Sequence, residues 1–220
     1  MKKIYIYRGF ERFWHWAQAF LVFFLGFTGF EVHGSFSFFG FEQAVKLHII
    51  AAYSLIILIV FAIFWHFATG EWKQYIPTLE NINKQIRYYI TGIFHNAPHP
   101  VRKTALSKLN PLQRLVYLGL KIILFPLMIT TGVLYLFYRF PQDETGIKIT
   151  INNLSTIAYW HTIGAFLLVA FVIAHLYLIT TGQTITSNLK AMITGYEELE
   201  EEQEQEQEQE KEEVEDENTK

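Results

Sequence analysis

Residues 156–180, TIAYWHTIGAFLLVAFVIAHLYLIT, decide the fold. No Asp, Glu, Lys or Arg interrupts the stretch, and its length suits a helix crossing a hydrocarbon core of about 30 Å. Working outward, residues 13–32, 48–69 and 115–138 repeat this character with few polar interruptions. The expected architecture is an all-α membrane protein, a four-helix transmembrane up-down-up-down bundle. The first span follows Met1-Lys2-Lys3 in the manner of a signal peptide, but it runs too long, carries His15 and Gln18 and lacks a small-residue cleavage site. It reads as a retained helix.

Charge divides the chain into two parts. Residues 197–220 hold fourteen acidic residues against two lysines, whereas residues 1–196 carry a net +9 from sixteen Lys and Arg against seven Asp and Glu. The tail is a Glu/Gln low-complexity run with no apolar stripe, so it is expected to be disordered or loosely helical. Residues 1–196 form the transmembrane domain. No nucleic-acid partner is expected. The absence of cysteine excludes disulfides, thiolate-held iron–sulfur clusters and covalently attached c-type haem.

Basic residues also orient the spans. The N-terminus has Lys2, Lys3, Arg8 and Arg12, and the connection between the second and third spans has Lys73, Lys84, Arg87, Arg102, Lys103, Lys108 and Arg114. The other two connections hold only Lys46, Arg139 and Lys148. The positive-inside rule then puts both termini in the cytoplasm. Residues 70–112 contain Pro77, Pro98, Pro100 and Pro111 and an amphipathic piece, Ile82-Asn83-Lys84-Gln85-Ile86-Arg87-Tyr88-Tyr89, that suits the membrane interface. The external connections are short, as in Gly34-Ser35-Phe36-Ser37-Phe38-Phe39-Gly40, so external catalytic chemistry is expected from a partner.

Ionisable groups within spans are costly and point to function. His161 and His175 lie fourteen residues apart, nearly on one helix face and about 21 Å apart along the axis. His48 opens the second span at the depth of His161, and His15 opens the first at the depth of His175. The expected pairs are therefore His48 with His161 at an outer level and His15 with His175 at an inner level. Each pair would grip one haem iron. His66, eighteen residues from His48, shares its face and is an alternative to His15; its plainer role is that of an interfacial ring beside Trp65 and Phe67. His33, His95 and His99 fall in connections. Gly26, Gly29, Ala51, Ala52, Gly132, Gly164 and Ala165 leave room for a flat macrocycle. The pairing suits haem better than zinc, which favours clusters of four ligands. Interhelical hydrogen bonding is the plainer reading of any one of these histidines.

The residues also carry a resemblance. Arg12-Phe13-Trp14-His15-Trp16, Leu47-His48, His161-Thr162-Ile163-Gly164, His175-Leu176-Tyr177 and Asn110-Pro111-Leu112-Gln113-Arg114 resemble segments of the di-haem cytochrome b subunits of formate dehydrogenase-N, nickel–iron hydrogenases and thiosulfate reductases, related to bacterial cytochrome b561. The likeness covers about residues 5–195 and excludes the acidic tail. It implies two haem b groups held by the four paired histidines, and menaquinone or ubiquinone as substrate near Asn110 and Gln113. The family places small residues between that Asn and Gln, whereas this chain has Pro111-Leu112. Arg12, Arg114 and Lys121 are candidates for neutralising haem propionates, and helix capping is the plainer role for Asn110 and Gln113. The resemblance further implies a bacterial inner-membrane subunit working with a periplasmic iron–sulfur, molybdopterin or multihaem cytochrome subunit. A stand-alone superoxide or small-donor:quinone oxidoreductase and a haem-free anchor or transporter are the alternatives.

Overall fold

The computed structural model describes residues 2–78, 80–95, 108–139, 154–182 and 184–199. The expectations resting on Pro98, His99, Pro100, Arg102, Lys103 and Lys148, and on the tail from residue 200 onward, lie outside the described residues. In chain order the elements are β1 (Lys2–Tyr5), α1 (Gly9–Val32), α2 (Phe41–Thr69), a 3₁₀ turn (Glu71–Tyr75), α3 (Ile82–Ile90), a second 3₁₀ turn (Gly92–His95), α4 (Pro111–Gly119), a π turn (Leu120–Leu124), α5 (Phe125–Arg139), α6 (Leu154–Ile179), α7 (Ser187–Thr194) and β2 (Tyr196–Leu199). Four stretches are long and apolar enough to span a membrane: Gly9–Val32, Phe41–Thr69, Pro111–Tyr138 and Leu154–Ile179. All four start earlier than hydropathy alone suggests. Helical backbone bonding continues through polar first turns, where Glu11 and Glu42 also complement the positive end of the helix dipole.

Two compact units make up the chain. One comprises Trp14–Thr69 and Tyr117–His175. Within it α1 and α2 run antiparallel, with Thr28 against His48 at one end and Trp14 against His66 at the other. Phe30 meets Phe166 and His15 meets His175, so α6 also runs antiparallel to α1. The third span meets α6 through Thr131 with His161 and Tyr117 with Phe171, again antiparallel. These contacts give the alternating bundle. Its spans bury small residues such as Ala44, Ala51 and Ala62 while Phe20, Ile57, Phe64, Phe67 and Ile173 face outward, the pattern of helices that pack through small residues and meet lipid with large ones. Gly164, expected to give room for a macrocycle, instead receives Met128, whose Sδ would lie 2.5 Å from an added Cβ. The π turn precedes Pro126. That proline offers no N–H and crowds the carbonyl one turn back, and Phe125 N–H bonds the Leu120 carbonyl in the wider register.

The second unit comprises Met1–Phe13, Gly70–Val116 and Leu176–Lys220. Here β1 pairs antiparallel with β2, setting Lys2 opposite Leu199 and Tyr5 opposite Tyr196. Residues Glu197–Leu199, read from composition as the start of a structureless tail, therefore form a strand. Their backbone partner lies at the other end of the chain, beyond the reach of local composition. Gly195 ends α7 at φ 89°, and its carbonyl accepts from Ile6 and Tyr7 N–H at 2.8 and 3.2 Å. A Cβ there would sit 2.7 Å from the Tyr5 ring and 2.8 Å from the Tyr7 carbonyl, so glycine is required both for conformation and for space. A buried charge cluster ties the remaining segments together. Lys108 Nζ lies 2.9 Å from Glu11 Oε1 and 3.1 Å from Glu71 Oε2, with Arg8 at 3.7 Å from Glu71.

Candidate functional site

The bundle brings the expected histidines together in pairs. His15 and His175 have ring centres 6.2 Å apart, and His48 and His161 have ring centres 6.4 Å apart. With metal–imidazole bonds of about 2 Å and about 1.1 Å from ring centre to nitrogen, two imidazoles on opposite sides of one metal have centres about 6 Å apart. Both pairs have the separation a shared iron requires. Among the described residues no group of three or more His, Cys, Asp or Glu side chains is arranged around a metal position; the nitrogen donors come in twos. That donor set suits a macrocycle that supplies the other four ligands itself.

The surroundings of the pairs differ. The Thr28 hydroxyl lies 3.0 Å from His48 Nδ1, and the Thr131 hydroxyl lies 2.8 Å from His161 Nδ1. The His15 Nδ1 atom is buried and has no hydrogen-bond partner among the described residues. Its ring meets the edge of Trp16 at 5.3 Å. His175 stacks on Phe171 at 5.7 Å and 14°, with Tyr117 at 6.4 Å. Polar contacts thus hold the first pair, while aromatic packing surrounds the second.

His66 is buried elsewhere in the same unit. Its Nδ1 lies 2.6 Å from the Ala62 carbonyl, and its ring meets Trp14 at 5.3 Å and Trp65 at 5.2 Å. His15, not His66, is therefore the ring beside His175. Lys121 places its amine 5.5 Å from the Trp14 ring centre, a cation–π distance, and the Trp14 indole nitrogen is buried without a partner among the described residues. Glu31 is 4% exposed, and its Oε1 accepts from Phe38, Phe39 and Gly40 N–H at 2.7, 2.6 and 2.8 Å. This backbone nest fixes the connection from α1 into α2, and hence the start of the helix that carries His48. His33 and His95 are exposed.

In the second unit, Asn110 and Gln113 form a reciprocal cap. Gln113 N–H donates to Asn110 Oδ1 at 2.8 Å and Asn110 N–H donates to Gln113 Oε1 at 3.0 Å, opening α4 by the capping-box logic. Asn110 Nδ2 also donates to the Tyr89 hydroxyl at 2.9 Å. Burial pushes the Tyr89 phenol above its ordinary range, which keeps its proton in place at neutral pH. Arg12 Nη1 donates to the Ile193 carbonyl at 2.7 Å, and Arg114 Nε donates to the Leu109 carbonyl at 3.1 Å.

Sequence reading missed Thr28, Thr131 and Glu31. Hydroxyl residues are common in membrane helices, so neither threonine stands out alone. The repeated dipeptide did offer a signal, because Thr28-Gly29 and Thr131-Gly132 each fall within a span.

Comparison with known proteins gives the family. The family described as prokaryotic cytochrome b561 matches residues 6–195. The chain is 33% identical over 209 residues to the candidate cytochrome YdhU of Escherichia coli (strain K12), an alignment covering 89% of this chain and 75% of that protein. No solved structure gives a significant match. The family match takes in every paired histidine and stops short of both strands; the chain belongs to the prokaryotic cytochrome b561 family and is a multi-pass membrane cytochrome that binds haem b and transfers electrons.

Proposed function

We propose that this chain is the membrane-anchoring di-haem subunit of a respiratory oxidoreductase complex, moving electrons between a membrane quinone or quinol and a periplasmic partner subunit. The observation that carries the reading is the pair of ring separations, 6.2 and 6.4 Å, repeated at the two ends of α6. His15 with His175 would hold one haem b and His48 with His161 the other. Haem b held in this way supplies reversible one-electron chemistry. The protein's part is to present neutral imidazoles, exclude water and bring cations near the propionates. Lys121, Arg12 and Arg114 are the cations for that task.

The quinone would take its hydrogen bonds from the cytoplasmic side. Asn110 and Gln113 spend their carbonyl oxygens on capping α4, which leaves the amide of Gln113 and the protonated Tyr89 beside Asn110 as donors. The positive-inside rule favours cytoplasmic termini in a bacterial inner membrane. A periplasmic iron–sulfur, molybdopterin or multihaem cytochrome subunit is the partner class that suits a chain with short external connections.

Haem quantification and reduced-minus-oxidised spectra of the purified protein test the reading. Two haems per chain are expected, together with reoxidation by added quinone. One haem, or none, would overturn it. Reduction by superoxide or another small donor with no partner present would favour the stand-alone oxidoreductase.

A further inference from the structure

We propose that Thr28 and Thr131 are positioning residues: they select the tautomer of His48 and His161 and lower the reduction potential of the haem those two rings hold. The inference rests on the paired-ligand reading above.

The hydrogen-bond inventory of each threonine decides the direction of its contact. Thr28 Oγ1 donates to the Phe24 carbonyl at 2.9 Å, with Leu25 at 3.3 Å. Thr131 Oγ1 donates to the Leu127 carbonyl at 2.7 Å, with Met128 at 3.2 Å. A hydroxyl has one proton, and the helix carbonyls of the preceding turn hold it. In the contacts to Nδ1, at 3.0 and 2.8 Å, the imidazole must therefore donate. Each ring carries its proton on Nδ1 and keeps its lone pair on Nε2, the form required of a ligand.

Position reinforces chemistry. Thr28 is 0% and Thr131 7% exposed, so neither contact competes with water. The following glycines let the helix backbones approach the rings: an added Cβ would lie 3.3 Å from His48 Cε1 at Gly29 and 3.5 Å from His161 Cε1 at Gly132. Two Thr-Gly dipeptides on different spans thus build the same cradle for opposite rings of one pair. Among the described residues His15 has no such partner on Nδ1.

An acceptor on the distal N–H makes an imidazole a stronger donor to its metal. Stronger donation favours ferric iron, and removing the acceptor raises the potential. The test is a redox titration of the purified full chain, with electron paramagnetic resonance of the oxidised form, for Thr28→Val, Thr131→Val and the matching serine variants. We expect the valine variants to raise one of two midpoint potentials. At fixed potential the ferric-to-ferrous ratio of that haem should fall several-fold, up to about tenfold, which is about 59 mV for one electron. Its resonance positions should move with it, and serine should restore both.

Unchanged potentials in the valine variants, equal shifts of both haems, or failure of serine to restore them would overturn the inference. If a valine variant loses a haem outright, its return in the serine variant supports the inference and its continued absence refutes it. His48→Ala and His161→Ala separate this from the underlying reading. Full haem content in either would defeat the pairing itself, whereas loss of one haem there with no threonine effect would defeat only the inference.

Discussion

The two histidine pairs have nearly the same ring separation, 6.4 Å for His48–His161 and 6.2 Å for His15–His175, yet their supports differ in kind. The first is held by two threonine hydroxyls on two spans. The second is enclosed by Trp16, Tyr117 and Phe171. Equal spacing suits the proposed task of gripping one metal at each level. On that proposal, unequal support would tune the same ligand chemistry by hydrogen bonding at one level and by apolar burial at the other, two of the levers that set a haem potential.

Removing one ring should have the largest effect. His48→Ala or His161→Ala should abolish one haem and leave the other, and His15→Ala or His175→Ala should do the converse, as read by pyridine haemochrome assay and low-temperature spectra. His66→Ala should keep both, because its Nδ1 is committed to Ala62 and its ring packs on Trp14 and Trp65.

Next in size is Lys108→Met. It removes the lysine ammonium shared by the buried Glu11 and Glu71 carboxylates, whose side chains are 11% and 12% exposed, and leaves Glu71 with Arg8 at 3.7 Å. Breaking such a cluster costs about 3–5 kcal/mol, measurable as a lower midpoint in detergent unfolding. Since Lys108 touches neither pair among the described contacts, both haem potentials should stay in place. That outcome would show the tuning to be local.

Glu31→Gln should cost less, about 1.5–3 kcal/mol, because Oε1 would keep its geometry but lose the charge that strengthens three N–H bonds. Its effect should fall on the His48–His161 haem first, seen as earlier thermal loss of that haem's absorption. Smallest is the contrast between Gly29→Ala and Gly132→Ala. The closer approach at Gly29 should displace His48 more than His161 moves, with stability changes of about 1 kcal/mol and a larger resonance shift in Gly29→Ala.

Legibility in the sequence followed the range of the interaction. The spacing of His161 and His175 on one helix is a local property, and so is the apolar length of each span. Asn110 and Gln113 show the limit. Their spacing fits both a capping box and a quinone contact, and only the reciprocal bonds show the cap in place. Tyr196–Leu199 shows it again, since an acidic composition says nothing about a strand partner at Lys2–Tyr5.

By itself the sequence determined the four spans, the membrane as solvent and the histidines that serve as metal-binding candidates, because hydrocarbon thickness and helical periodicity act along a single segment. Tertiary structure alone decided that His15 rather than His66 lies beside His175, that the Thr28 and Thr131 hydroxyls lie against Nδ1 of His48 and His161, and that Glu31 anchors the connection into α2. Those facts depend on which side chains different helices bring within about 3 Å of one another, and no one-dimensional pattern carries that distance.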